Sequence, residues 1–130
     1  MNDRARILVV DDDREILEMT ALLLQGAGFE VLLAGSGEEA LYRLGEAPPA
    51  LVLLDINMPG MDGWEVLRVL QEDEMTRALP VIMFSVNFEL REKLHALQLG
   101  AADYITKPFD TESLVRRVRD TLSSRAENSR

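Results

Sequence analysis

The chain has 130 residues, 47% of them hydrophobic, and carries 14 Lys and Arg against 23 Asp and Glu, a net charge of -9. That length supports one domain with a packed core, and that charge disfavours direct docking on nucleic acid phosphates or anionic membranes. Cysteine is absent, which removes disulfide and thiol chemistry and fits a reducing cytoplasm; residues 1–7 lack the apolar stretch of a signal peptide, and no apolar run is long enough to span a bilayer.

Ile7-Leu-Val-Val10 is a short buried strand that ends in Asp11-Asp12-Asp13. Helical spacing follows, with Ile16, Leu17, Thr20, Leu23, Leu24 and Ala27 on one face, and Gly28 suits the helix C-terminus. Residues 30–34 form a second strand. Ser36-Gly-Glu-Glu39 is a capping box that opens a helix through about Leu44. Gly35-Ser-Gly37 lacks the spacing of a dinucleotide loop and reads as a turn plus a cap.

Pro48-Pro49 leads into Leu51-Val-Leu-Leu-Asp55, a run apolar enough to be buried on both faces. Pro59, Gly60 and Gly63 then force a loop. Asp62 with Glu65 caps a third helix that turns Trp64, Leu67 and Leu70 inward. Val81-Ile-Met-Phe84 is the fourth strand, ending in Ser85, and residues 88–99 form a fourth helix closed by Gly100. Residues 103–106 form the fifth strand, followed by Lys107-Pro108. Asp110 caps a last helix with Leu114, Val115, Val118 and Leu122 on one face, and the residues from Ser123 onward are polar. The expected domain covers residues 1–123, with 124–130 as a polar tail or the start of a linker.

Five successive βα units imply an α/β fold: a doubly wound five-stranded parallel sheet with helices on both faces. Such sheets commonly run in the order 2-1-3-4-5, and ligands bind beyond the carboxyl ends of their strands. In that order, strand one ends in Asp11 and Asp12, strand three in Asp55, strand four in Ser85 and strand five in Lys107. The edge strand, two, ends in Ala34-Gly35 and brings no chemistry.

Carboxylates about 4 Å apart repel by about 4 kcal/mol per pair at an effective dielectric near 20. Three in one crevice therefore require a cation or raised pKa values. Hard oxygen ligands without His or Cys point to Mg²⁺ or Mn²⁺. Lys107 adds a point charge for a phosphoryl group and Ser85 a hydroxyl, so the chemistry on offer is phosphoryl transfer onto an Asp carboxylate. Each residue also has a plain role open to it. Asp12 with Glu15 makes a capping box, Ser85 or Asn87 can cap the fourth helix, Lys107 can be a solvated loop lysine, and Tyr104 can fill the strand. The single histidine, His95, lies on a polar stretch and is given no role. It is the coincidence at four neighbouring strand ends that favours a site.

With these motifs the chain resembles the receiver domain of two-component response regulators, a flavodoxin-like fold, over about residues 6–122. The resemblance rests on Ile-Leu-Val-Val-Asp11-Asp12, Leu-Leu-Asp55-Ile-Asn-Met-Pro-Gly-Met-Asp-Gly63, Phe84-Ser85 and Tyr104-Ile-Thr-Lys107-Pro-Phe109. It implies that Asp55 accepts a phosphoryl group from a sensor histidine kinase or histidine phosphotransfer protein. It further implies that Asp12 binds Mg²⁺ directly, Asp11 largely through water, and Asn57 through its backbone carbonyl. Lys107 would pair with the phosphoryl oxygens, Ser85 would bond one on activation, and Tyr104 would turn inward as Ser85 moves, changing the face of the fourth helix, fifth strand and fifth helix. A phosphorylation-dependent dimer is one expected readout. A cis bond is expected at Lys107-Pro108. Val86 departs from the family's usual Ala, and Val86 and Asn87 flank the site where they bear on rates.

Three other functions compete. An aspartate-nucleophile phosphatase needs a general acid two residues after the nucleophile, and Asn57 cannot serve. A flavin binder needs a hydroxyl-rich phosphate loop where Asp11-Asp12-Asp13 stands. An inert receiver-shaped interaction module conflicts with the complete set of site residues. Nothing after Leu122 forms an effector domain, so the chain is expected to be a single-domain receiver or a segment of a longer regulator.

Overall fold

The computed structural model describes residues 4–128. Strand and helix alternate from end to end: β1 (Arg6–Val10), α1 (Arg14–Gly26), β2 (Glu30–Ala34), α2 (Gly37–Glu46), β3 (Leu51–Asp55), α3 (Gly63–Glu72), β4 (Val81–Ser85), α4 (Leu90–Gln98), β5 (Asp103–Thr106) and α5 (Thr111–Asn128). All five strands are parallel, in the order β2-β1-β3-β4-β5, as expected. The register sets Val10 beside Leu54, Asp55 beside Phe84, and Ser85 beside Thr106. The carboxyl ends of the four strands that carry chemistry are thereby neighbours.

The two-residue period of a strand divides the core in two. Leu8, Val10, Val52, Leu54 and Met83 face one side, against Ala40 and Leu44 of α2, Val66, Leu67 and Leu70 of α3, and Ala96 of α4. Ile7, Val9, Leu51, Leu53, Ile82 and Phe84 face the other, against Leu17 and Leu24 of α1 and Leu114 and Val118 of α5. Every residue of β3 and β4 is buried. At roughly 1.5–3 kcal/mol per buried large apolar side chain, these two central strands hold the sheet rigid beneath its edge.

The helix ends show where local chemistry decides. Asp13, not Asp12, caps α1, accepting from the Glu15 and Ile16 amides at 3.0 and 3.3 Å. With three aspartates in a row only the third stands one residue before the helix, so Asp12 is released from capping. Ser36 accepts from the Glu39 amide at 3.0 Å, while Glu39 returns a bond to the Gly35 amide at 2.7 Å, one residue earlier than a strict capping box. Asp62 and Asp110 accept from the Glu65 and Ser113 amides, as expected. α1 and α4 both close on left-handed glycines, Gly28 (φ 98°) and Gly100 (φ 107°). Each sets the paired amide-to-carbonyl bonds that finish such an end.

Three expectations shift. α4 begins at Leu90 instead of about Phe88, and neither Ser85 nor Asn87 caps it. Asn87 Oδ1 instead accepts from the Glu89 amide at 2.9 Å, a turn that holds the chain out of the helix for two more residues. α5 continues to Asn128, past the end expected near Leu122. His95 does have a packing role: its ring lies 4.8 Å from that of Trp64, tying α4 to α3. Among the described residues no helix is long and apolar enough to cross a membrane.

Candidate functional site: an acidic crevice at the sheet's carboxyl edge

Among the described residues four polar ones are buried, Asp11, Thr20, Asp55 and Ser85, and three of them meet at one edge of the sheet. Asp55, 3% exposed, is the last residue of β3; Asp11, 1% exposed, follows β1; Ser85, 1% exposed, ends β4. Two buried carboxylates side by side need compensation, and Lys107 supplies part of it. Its Nζ lies 2.9 Å from Asp11 Oδ2 and 3.4 Å from Asp55 Oδ1. The lysine is held by its backbone, whose amide donates to the Ser85 carbonyl at 2.7 Å, and the bond to Pro108 is cis, as expected. The ammonium also sits 4.5 Å over the Phe84 ring.

The compensation is incomplete. Burial, followed by the charge of Asp11, pushes the Asp55 carboxyl up from 3.8 to about 7, with Lys107 pulling only partly the other way. Exposed Asp12 completes the crevice: one oxygen from each of Asp11, Asp12 and Asp55 lies within 4.8 Å of the others. Three hard oxygen donors at that spacing, carrying more negative charge than one lysine offsets, could hold a metal ion. Asp11 keeps its orientation by accepting from the Asp13 amide at 2.9 Å.

Around the carboxylates runs a second set of contacts. The Asn57 amide reaches Asp55 Oδ1 at 3.4 Å, and the Asn57 side-chain nitrogen donates to Ser85 Oγ at 3.3 Å. The Asn87 amide donates to the same Oγ at 3.1 Å. Tyr104 departs from expectation. Its ring is already inward, 3% exposed, and its hydroxyl donates to the Asn87 carbonyl at 2.6 Å. The ring is drawn in by packing in the same core as Met83, Ala96 and Ala101, and the hydroxyl finds its acceptor there. Burial is the main cause that raises its pKa. Val86, next to Ser85, is 66% exposed.

Two further residues, Gly63 and Arg117, support the site from neighbouring elements. Gly63 donates its amide to the Ile56 carbonyl at 2.8 Å, and a Cβ there would stand 2.7 Å from the Ile56 Cα. Only glycine lets the start of α3 close against the backbone that carries Asp55. Arg117 grips Asp103 with bonds of 2.9 and 2.7 Å and the Tyr104 carbonyl at 3.1 Å, fastening α5 to β5. The glycine in Asp62-Gly63 was a usable signal; the ion pair, 14 residues apart, was not.

A doubly wound sheet of this order with an acid-lined crevice and a lysine across it is the layout of a receiver domain. The comparisons agree. The family model of the response regulator receiver domain matches residues 7–119, and the chain belongs to that family. It is 44% identical over 119 residues to the DNA-binding response regulator MtrA of Mycobacterium tuberculosis, covering 92% of this chain and 51% of MtrA. It is 42% identical over 116 residues to the phosphate regulon transcriptional regulatory protein PhoB of Pseudomonas aeruginosa, covering 89% of this chain and 51% of PhoB. The chain thus spans about half the length of the curated relatives it matches. Among solved structures it is similar to a response regulator of Chloroflexus aurantiacus, with a TM-score of 0.89 at 36% identity, covering 93% of this chain and 99% of that one. It is also similar to the chemotaxis protein CheY4 of Vibrio cholerae, with a TM-score of 0.86 at 30% identity, covering 91% and 98%.

Proposed function

We propose that Asp55 is the phosphoacceptor of a two-component relay. A carboxylate oxygen of Asp55 attacks phosphorus, the nitrogen–phosphorus bond of a phosphohistidine breaks, and the histidine leaves with the electron pair. The donor is a sensor histidine kinase or a histidine phosphotransfer protein. The observation that carries this reading is the position of Asp55: buried at the end of the central strand, with the Lys107 ammonium 3.4 Å from its carboxylate.

Asp11, Asp12 and Asp55, with the Asn57 carbonyl, would hold Mg²⁺ or Mn²⁺, which when bound offsets charge on the phosphoryl oxygens. Lys107 stands ready to pair with a phosphoryl oxygen on the opposite side. Ser85 supplies the hydroxyl that follows the new charge, and its movement changes the surface of α4, β5 and α5. Because Tyr104 is already inward, the change begins with Ser85 and the Asn87 segment instead of with rotation of the ring. Pro108 sets the turn after Lys107, and Val86 and Asn87 flank the approach to the phosphorus.

In this reading the domain is a stoichiometric acceptor that releases phosphate to water, not a turnover enzyme. It works in the cytoplasm, and its folded unit includes α5, which continues past residue 123 to Asn128. The net charge of -9 keeps this domain off DNA; any DNA contact belongs to a further domain, as the names of MtrA and PhoB suggest for those proteins. A phosphorylation-dependent dimer is a suitable readout. Incubation with a phosphorylated histidine phosphotransfer protein tests the proposal. Transfer of one phosphoryl group per chain, followed by release of phosphate without any other substrate, supports it. No transfer to the folded protein in the presence of Mg²⁺ favours the inert interaction module.

A further inference from the structure

Ser85 Oγ is 1% exposed and receives two hydrogens, from the Asn87 amide at 3.1 Å and from the Asn57 side chain at 3.3 Å. A hydroxyl has two acceptor lone pairs and one donor hydrogen. Both acceptor positions of Ser85 are therefore taken, and they fix where the oxygen sits. The two donors differ in kind. The Asn87 amide belongs to the β4–α4 segment that carries Ser85, so it travels with the serine. The Asn57 amide belongs to the β3–α3 segment, whose backbone at the same residue reaches Asp55 at 3.4 Å. It ties the two segments together, so a shift of Ser85 toward a group on Asp55 would alter it.

We propose that the Asn57 side chain is a latch that holds the Ser85 hydroxyl in its resting position and sets how readily the serine engages a charge on Asp55. This rests on the reading of Asp55 as phosphoacceptor and goes beyond it by assigning Asn57 a positioning role through its side chain, separate from its backbone carbonyl. Asn57 is itself exposed, so its amide regains water when the tie breaks, and the opposition it offers is that of one neutral hydrogen bond. An effect of that size tunes the switch without blocking it. Among the described residues Asn57 is the one side-chain donor to Ser85 Oγ, since the Tyr104 hydroxyl donates to the Asn87 carbonyl.

The test is a double-mutant cycle read by beryllofluoride affinity, which mimics the phosphoryl group on Asp55. Titrations are run on the whole chain at saturating Mg²⁺ for wild type, Asn57→Ala, Ser85→Ala and the double variant, followed by calorimetry. Removal of the latch should tighten beryllofluoride binding about 2- to 10-fold when Ser85 is present. The gain should vanish when Ser85 is Ala. Unchanged or weaker binding in Asn57→Ala, or the same gain in both backgrounds, overturns the latch while leaving the phosphoacceptor reading intact. Binding that survives Asp55→Asn unchanged overturns that reading, and the latch with it.

Discussion

Lys107 lies closer to Asp11 than to Asp55, 2.9 Å against 3.4 Å. The residue expected to receive a phosphoryl group is thus the less well paired of the two buried carboxylates, and Lys107 serves chiefly to neutralise its neighbour. Replacing Lys107 with Met leaves both carboxylates uncompensated. Stability without divalent metal should fall by about 2–3 kcal/mol, below the 3–5 kcal/mol of a deep pair because the crevice opens to water. Saturating Mg²⁺ should recover most of the loss. Urea unfolding with and without Mg²⁺ measures both, and a variant as stable as wild type in metal-free buffer would show that the ion pairs contribute nothing.

The raised Asp55 carboxyl gives stability a pH dependence of unusual sign. Above pH 7 the folded protein bears a buried, partly compensated charge that the unfolded chain exposes to water at no cost. As pH falls through about 7 the folded state takes up a proton, and the unfolded chain, with its value near 3.8, does not. This contribution to stability therefore grows as pH falls from about 7 toward 3.8 and is constant below. In metal-free buffer Asp55→Asn should be more stable than wild type at pH 8 by about 1–2 kcal/mol, allowing for screening at the sheet edge, and the gap should close toward pH 5. A gap that does not change with pH contradicts the assignment.

Mg²⁺ should stabilise the unphosphorylated protein by about 2.7 kcal/mol at 100 times its dissociation constant. Asp12 is the exposed member of the three-carboxylate group and takes no part in capping α1. Asp12→Ala should therefore fold normally and lose most of the Mg²⁺ response. Thermal melts across a Mg²⁺ titration decide it; a full response in Asp12→Ala would place the cation elsewhere.

Thr20 tests the core independently of the site. It is fully buried on α1, and among the described residues its hydroxyl has no hydrogen-bond partner. Thr20→Val keeps the shape and removes the unpaired group, so stability should rise by about 1 kcal/mol. A loss of stability would mean that the hydroxyl is satisfied.

The chain order already exposed the parts of this architecture that depend on local pattern. Apolar runs such as Leu51 to Leu54 marked the strands, and a carboxylate ending such a run marked Asp55, because burial and the strand's end are both encoded within a few residues. The boundary between cap and ligand among Asp11, Asp12 and Asp13 was not legible, since all three have the same chemistry and only the position of the first helical turn separates them. Phe88 and Glu89 stay outside α4 because the Asn87 turn competes with helix formation there. The inward Tyr104, the Asn57–Ser85 contact and the Arg117–Asp103 grip depend on partners 14 to 28 residues away, which no spacing rule reaches.

The most direct test of the central claim is the intact mass of the protein after incubation with acetyl phosphate and Mg²⁺. Wild type should gain the mass of one phosphoryl group, and Asp55→Asn should gain none under the same conditions. An Asp55→Asn protein that is phosphorylated at the wild-type rate would contradict the assignment of Asp55 as the acceptor.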